Sequence, residues 1–319
     1  MNGTRRVRRR GSNSVIAGIA LLVSLALPAC LYTQVLGRVL SQPSEPRRVA
    51  HKLENPVRSD ARLAVLWVGH STVLIQIDDR FILTDPVFTR SVGVFSPRLV
   101  EPGILPEHLP PKMVVAVSHS HFDHLSYDSL ETLAAKIELL VLPAQALAYL
   151  PRYDFPAHGL ERWESYDAAG VRVTAVPVRH VGGRYRFDNA LYPDAFTGYV
   201  FEYHGISVYF AGDTVFDARV FGATRSRFGA LDLALLPICP AEPSTIRRAH
   251  MNPEQSLDAF ELLGAKRMVP IHYDTFINSA DRVGDCSLRL LSEMSARNVF
   301  EDRVTILKVG EQRVIVANR

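Results

Sequence analysis

Five consecutive apolar residues, Met113-Val114-Val115-Ala116-Val117, run straight into Ser118-His119-Ser120-His121-Phe122-Asp123-His124. A run of that length and character reads as a buried strand, which puts the polar cluster on a strand end. In extended chain residues i and i+2 point to the same side, so His119 and His121 can converge on one cation. Asp123 and His124 lie just beyond and can hold a second. Four ligand-type side chains in six positions make this strand end a metal site, a tighter constraint than any single helix or strand pattern in the chain.

Three later apolar stretches end the same way. Residues 171–178 lead to His180, residues 206–210 lead through Ala211-Gly212 to Asp213, and residues 268–271 end at His272. Five imidazoles and two carboxylates at strand ends suffice for two ions. A donor set of imidazole and carboxylate without thiolate suits two zinc ions, with other divalent transition metals such as iron or manganese as alternatives, and leaves positions open for water and substrate. A structural zinc would call for closely spaced cysteines, and the chain has no Cys-x-x-Cys.

Strands are expected over 64–67, 73–77, 81–83, 138–142, 171–178, 198–203, 207–210, 233–237 and 268–271, besides the ligand strand. Helices are expected over 127–136, 144–150, 253–263 and 287–297. This alternation predicts an α/β chain in which helices cover sheets. Composition fits one folded domain over 61–319: 47% of residues are hydrophobic and 22% charged.

The net charge of +3 is unevenly placed, because Arg5, Arg6, Arg8, Arg9 and Arg10 supply five positive charges with no acid before residue 30. Removing them leaves the remainder at −2, which argues against a nucleic-acid partner. The arginines precede an uncharged stretch, 11–37, with an apolar centre over 15–30. Residues 1–37 read as a signal peptide or a signal anchor, and Leu27-Pro28-Ala29-Cys30 resembles a bacterial lipobox with Cys30 as the acylated residue. The expected localisation is at a membrane, exported, with the N-terminus as the tether. Residues 38–60, with Pro43, Pro46 and Pro56, read as a linker. Cys239 and Cys286 are expected as two independent buried thiols.

The block His119 to His124 carries the His-x-His-x-Asp-His signature, and in this the chain resembles the metallo-β-lactamase superfamily. Further blocks, Trp67-Val68-Gly69-His70-Ser71-Thr72, Leu83-Thr84-Asp85-Pro86, Gly212-Asp213-Thr214, Arg227-Phe228-Gly229 and Ile271-His272-Tyr273-Asp274, resemble its N-acylphosphatidylethanolamine-hydrolysing phospholipase D branch. Sugar-phosphate lactonases share these blocks. The segment after His180 departs from that branch, reading Val181-Gly182-Gly183-Arg184 without a Trp-Ser pair. The resemblance covers roughly residues 60 to 315 and implies a four-layer αββα sandwich with the metals at one edge between two sheets.

It further implies His119, His121 and His180 on one ion, Asp123, His124 and His272 on the other, and Asp213 bridging both. A hydroxide generated between the ions would cleave a phosphodiester such as an N-acylphosphatidylethanolamine-like phospholipid. A lactone or ester hydrolase and a non-enzymatic metal-binding lipoprotein are the alternatives. Asp85, which precedes Pro86, reads by itself as a turn residue; the resemblance makes it an orienter of a ligand histidine. His250 reads by itself as a helix-start residue, and the resemblance places it near the substrate phosphate. His70 is open between packing and chemistry, whereas His51, His108, His158 and His204 are expected at the surface or in packing. Tyr185, Tyr192 and Tyr199 could line an acyl pocket or belong to the core. The irregular stretch from Asp85 to Pro111 is long enough to be functional, and Val92, Val94 and Phe95 with Arg90 and Arg98 are expected to meet lipid.

Overall fold

Successive residues of the first strand go to different places. In β1 (Ala61–Gly69), Leu63, Val65 and Trp67 enter one hydrophobic core, while Leu66 and Val68 enter a second. The ligand strand β6 (Met113–Ala116) divides likewise, with Val114 and Ala116 on one side and Met113 and Val115 on the other. Because strand side chains alternate, two apolar sets on one strand require both faces to be covered.

In this computed structural model the described residues are 37–39, 45–93, 96–185, 187–243 and 248–318. The expected signal segment up to residue 36, with Cys30, lies outside them, as do Val94 and Phe95. Between β1 and β6 come β2 (Thr72–Ile77), β3 (Arg80–Thr84) and a small ribbon of β4 (Ser91–Val92) and β5 (Ser96–Pro97). Then follow α1 (Tyr127–Leu133), β7 (Ile137–Pro143), β8 (Ala157–Leu160), β9 (Ser165–Ala168), β10 (Val171–Val176), β11 (Gly198–Tyr203) and β12 (Ile206–Phe210). The chain continues through α2 (Ala218–Phe228), β13 (Leu233–Pro237), α3 (Pro253–Leu263), β14 (Arg267–Ile271), α4 (Asp285–Ala296) and β15 (Gln312–Ala317).

A seven-stranded sheet has the order β15-β1-β2-β3-β6-β7-β8, and a six-stranded sheet has the order β14-β13-β12-β11-β10-β9. One core joins the facing sides of the two sheets and extends to Phe221 of α2, Phe260 of α3 and Leu290 of α4. The other lies under Leu130 and Leu133 of α1 on the far side of the first sheet. Helix, sheet, sheet and helix are thus the four expected layers. Strands β3, β6, β7 and β8 run parallel, and so do β12, β13 and β14. Their carboxyl ends converge on one edge, where open sheets bind ligands.

Three features depart from expectation. Residues 45–60 are docked: Arg47 N–H donates to the Leu99 carbonyl, the Arg47 carbonyl accepts from Glu101 N–H, and Arg58 N–H reaches the Gln76 side chain. Residues 144–149 form a 3₁₀ turn, and α2 and β15 were not foreseen because polar residues interrupt their apolar spacing. Cys239 and Cys286 are joined as a disulfide with their Cα atoms 6.1 Å apart, which corrects the reading as free thiols. Spacing alone could not bring the end of β13 against the first turn of α4.

The crosslink closes a loop of 47 residues, for which chain entropy gives up to about 4 kcal/mol. Cys286→Ser is therefore expected to lower the urea midpoint, with a slope that rises as the freed chain exposes more surface, in equilibrium unfolding.

Candidate metal centre

All seven residues expected to hold metal come together at this edge. His119 Nε2 lies 2.9 Å from His121 Nδ1, and His180 Nε2 lies 3.3 Å from the same atom. Two nitrogens on a tetrahedral zinc at about 2.0–2.1 Å stand about 3.3 Å apart, so this trio has the spacing of donors around a shared ion. A second group faces it. Asp213 Oδ1 is 3.2 Å from His272 Nε2, its Oδ2 is 3.4 Å from His124 Nε2, and Asp123 Oδ2 is 3.7 Å from both imidazoles. Asp213 Oδ2 is also 4.0 Å from His180 Nε2, which puts this one carboxylate between the two groups.

The chemistry of the donors fits metal. His124 Nε2, His272 Nε2 and Asp213 Oδ1 are buried without a hydrogen-bond partner, a costly state for polar atoms unless a cation completes them. The opposite ring nitrogens are occupied. His180 Nδ1–H donates to the Ala249 carbonyl and His272 Nδ1–H to the Cys239 carbonyl, each at 2.9 Å. His124 Nδ1–H donates to Asp85 Oδ2 at 2.6 Å, and His119 Nδ1–H to Ser118 Oγ at 2.9 Å. Each contact turns the Nε2 lone pair inward, the usual way a ligand histidine is aimed.

Asp85 is placed to orient His124. It is fully buried, and besides His124 it accepts the Ser118 N–H at 2.6 Å and the Ser118 hydroxyl at 2.7 Å. Asp85, His70 and His272 all stand at positive φ, 34°, 55° and 63°. Such backbone costs about 1–3 kcal/mol per residue, and it collects where strands end on the site. At Gly212 (φ +59°) a Cβ would come within 2.3 Å of the Ser118 side chain, so only glycine lets Asp213 turn in.

Electrostatics separate the two groups. Burial pushes His119 far below its usual value and lowers His121 and His180 to about 4, leaving neutral ligands. Burial acts downward on His272 as well, but Asp213 and Asp123 outweigh it and raise the ring to about 9. The carboxylates concentrate negative charge on the second group.

Several other expectations resolve differently. His70 belongs to the site: its Nε2 is 3.1 Å from Asp123 Oδ2, and its ring lies 4.0 Å from that of His272. His250 Nδ1 is 3.4 Å from Asp213 Oδ2, its position set by the Asn252–Gln255 capping box at the start of α3. Tyr199 is a core residue bonded to the Val117 carbonyl, Tyr192 packs on Tyr149, and only Tyr185 reaches the site's surroundings. Arg98 does not face outward as expected; it is buried, donates to the carbonyls of Thr89 and Val87, and lies over the Phe276 ring. His158 stacks on Tyr166 and His204 on Tyr203, away from the centre.

Arg184 went unnoticed as a functional residue, although it stands in the segment that departs from the phospholipase pattern. Its Nη1 donates to the carbonyls of Ser120 and Leu125 at 2.7 and 2.9 Å, bracketing His121 to His124. Its guanidinium lies 4.2 Å from the rings of both Phe122 and Tyr127. Arg184→Met retains the stem and loses both hydrogen bonds. It is expected to release metal roughly tenfold more readily in chelator competition.

Comparison with known proteins agrees with this geometry. The profile of the β-lactamase superfamily domain matches residues 80–273. An uncharacterized protein of Mycobacterium tuberculosis is 32% identical over 271 residues, covering 81% of this chain and 71% of that protein. An N-acyl-phosphatidylethanolamine-hydrolyzing phospholipase D of Caenorhabditis elegans is 25% identical over 247 residues, 68% of this chain and 65% of the relative. The solved structure of a metallo hydrolase from the archaeon Ignicoccus hospitalis shares the fold with a TM-score of 0.58 at 22% identity, over 79% of this chain and 97% of that one. The chain belongs to the β-lactamase superfamily domain family and is one of its metal-dependent hydrolases.

Proposed function

We propose that the protein is a binuclear zinc phosphodiesterase of the phospholipase D type, acting on N-acylphosphatidylethanolamine-like phospholipids at a membrane to which its N-terminus tethers it. The observation that carries the two-ion reading is Asp213, whose carboxylate lies near His272 and His124 of one group, at 3.2 and 3.4 Å, and near His180 of the other, at 4.0 Å. His119, His121 and His180 would hold one ion, Asp123, His124 and His272 the other, and Asp213 both. When bound, such ions polarise a phosphoryl oxygen and lower the pKa of a water between them.

The residues themselves do the positioning. Asp85 and the carbonyls of Ala249 and Cys239 keep the imidazoles aimed. His250 stands over the pair, its ring centroid 5.3 Å from that of His180 and 5.4 Å from that of His272. Burial lowers it to about 3, so at pH 7 it is neutral and offers one N–H to a substrate phosphoryl oxygen or departing alcohol. The likeness to the phospholipase D relative supports the substrate class, and the uncharged stretch after the arginines supports the tether.

Zinc-loaded protein should convert N-acylphosphatidylethanolamine in mixed micelles to phosphatidic acid and N-acylethanolamine. Turnover of lactones or carboxylic esters with the phospholipid untouched would replace the reading by the ester-hydrolase one, and turnover of nothing would favour a binding protein. If Cys30 is the acylated residue, Cys30→Ser abolishes fatty-acid labelling in a bacterial host; unlabelled wild-type protein that keeps residues 1–29 would instead be signal-anchored.

A further inference from the structure

The loop that follows ligand His180 carries its apolar side chains outward. Phe187 is 86% exposed and Leu191 74% exposed, with Val181, Tyr185 and Phe122 also at the surface. Three of them, Phe122, Tyr185 and Phe187, form one patch. Tyr185 stacks on Phe187 with ring centroids 5.6 Å apart, and Phe122, between His121 and Asp123, packs edge-on against Tyr185 at 5.6 Å. Large apolar side chains at such exposure, contiguous with a polar centre, mark an interaction surface.

The base of this loop is fixed. Asp188 accepts the Tyr149 hydroxyl at 2.6 Å and the backbone N–H groups of Arg184 and Tyr185 at 3.1 and 2.9 Å. Gly182 lies so close to its return strand that a Cβ would meet the Tyr192 carbonyl at 2.2 Å. The aromatic tips are thus held out from a rigid support. Below them opens a cleft of about 500 Å³ lined by Arg90, Phe122, Tyr127, Arg184 and Tyr185; its charged groups are Arg184, Arg90 paired with Glu45, and Asp128.

The chain outside the described residues ends at the same centre. Residues 1–36, with the arginine cluster and the uncharged apolar stretch, lead into 37–39, where the Arg38 guanidinium donates to the carbonyls of Ser279 and Asp281. Arg38 shares a small cavity with His70 and His272. The segment that would enter a bilayer therefore joins the domain beside one metal group, and the apolar patch adjoins the other.

We infer that the loop formed by residues 181–191, with Phe187 and Leu191 at its tip, docks on a phospholipid surface and sets the metal centre against the bilayer. This rests on the phospholipid reading of the site. The occupant is lipid because an apolar tether and an exposed apolar patch flank a single centre, and exposed aromatic side chains beside a polar cleft match the boundary between acyl chains and phosphate head groups. Of the stretch expected to meet lipid, Arg90 and Val92 line the same cleft and Arg98 is turned inward, while Val94 and Phe95 lie outside the described residues.

The test uses the full chain in a Cys30→Ser background, with one thiol introduced by Phe187→Cys, Leu191→Cys or, on an exposed hairpin far from the centre, Asp167→Cys. Each carries an environment-sensitive fluorophore and is mixed with vesicles of phosphatidylcholine and phosphatidylglycerol. The emission at 187 and 191 should shift to shorter wavelength and be quenched by lipids brominated on their acyl chains, while that at 167 stays as in buffer. Solvent-like emission at both 187 and 191 would overturn the inference, whether or not the protein sediments with the vesicles, and so would an equal shift at 167. Failure of the phospholipid reading appears separately, as absence of phospholipid turnover with the emission shift intact.

Discussion

Asp213→Ala should strip metal from both groups and abolish hydrolysis. Removing a residue that only supports a ligand histidine costs about 10–100-fold in metal affinity or activity. Asp213 contacts His124, His180 and His272 directly, so its loss should exceed a hundredfold by that scale. It also leaves imidazoles on both sides without the charge that offsets their burial. His180→Ala and His124→Ala, each confined to one group, should retain more metal than the aspartate variant. Elemental analysis of the three proteins after metal-replete purification checks the order, and retention of two metals by Asp213→Ala would contradict it.

Asp85→Ala is the second large effect. The carboxylate accepts from His124 Nδ1–H, from the Ser118 N–H and from the Ser118 hydroxyl, and it is fully buried. Removing it strands three donors in a buried setting. Each unpaired group costs about 1–3 kcal/mol, although relaxation makes the total less than the sum. Free of its acceptor, the Ser118 hydroxyl can rotate and no longer fixes His119. Metal affinity should fall about 10–100-fold and the thermal midpoint should drop in the metal-free protein as well. Asp85→Asn keeps the shape and one acceptor oxygen, so it should fall between. A wild-type midpoint in Asp85→Ala would show that the carboxylate carries no structural load.

What could be read from the residues follows a physical division. The ligands were legible because each ends an apolar run, and strand ends of one polarity meet at one sheet edge. The four layers were not legible from periodicity. They depend on β1 and β6 facing a different core on each side, which an all-apolar run such as Met113 to Val117 does not disclose. Tertiary approach set the remainder. His70 and Asp123 are 53 positions apart and Arg184 reaches back 64 positions to the Ser120 carbonyl, distances at which local pattern holds no information. The disulfide belongs to the same class, since a buried cysteine looks alike in sequence whether bonded or free. Conversely, nothing in the local pattern marks Phe187 and Leu191, and only their exposure in the fold singles them out.

Metal stoichiometry tests the central claim most directly. Full-length protein purified with saturating zinc, dialysed free of excess ion and measured by elemental analysis should carry two zinc ions per chain, with hydrolysis rising as the second is added back to chelated protein. One ion or fewer per chain at full activity would contradict the binuclear centre.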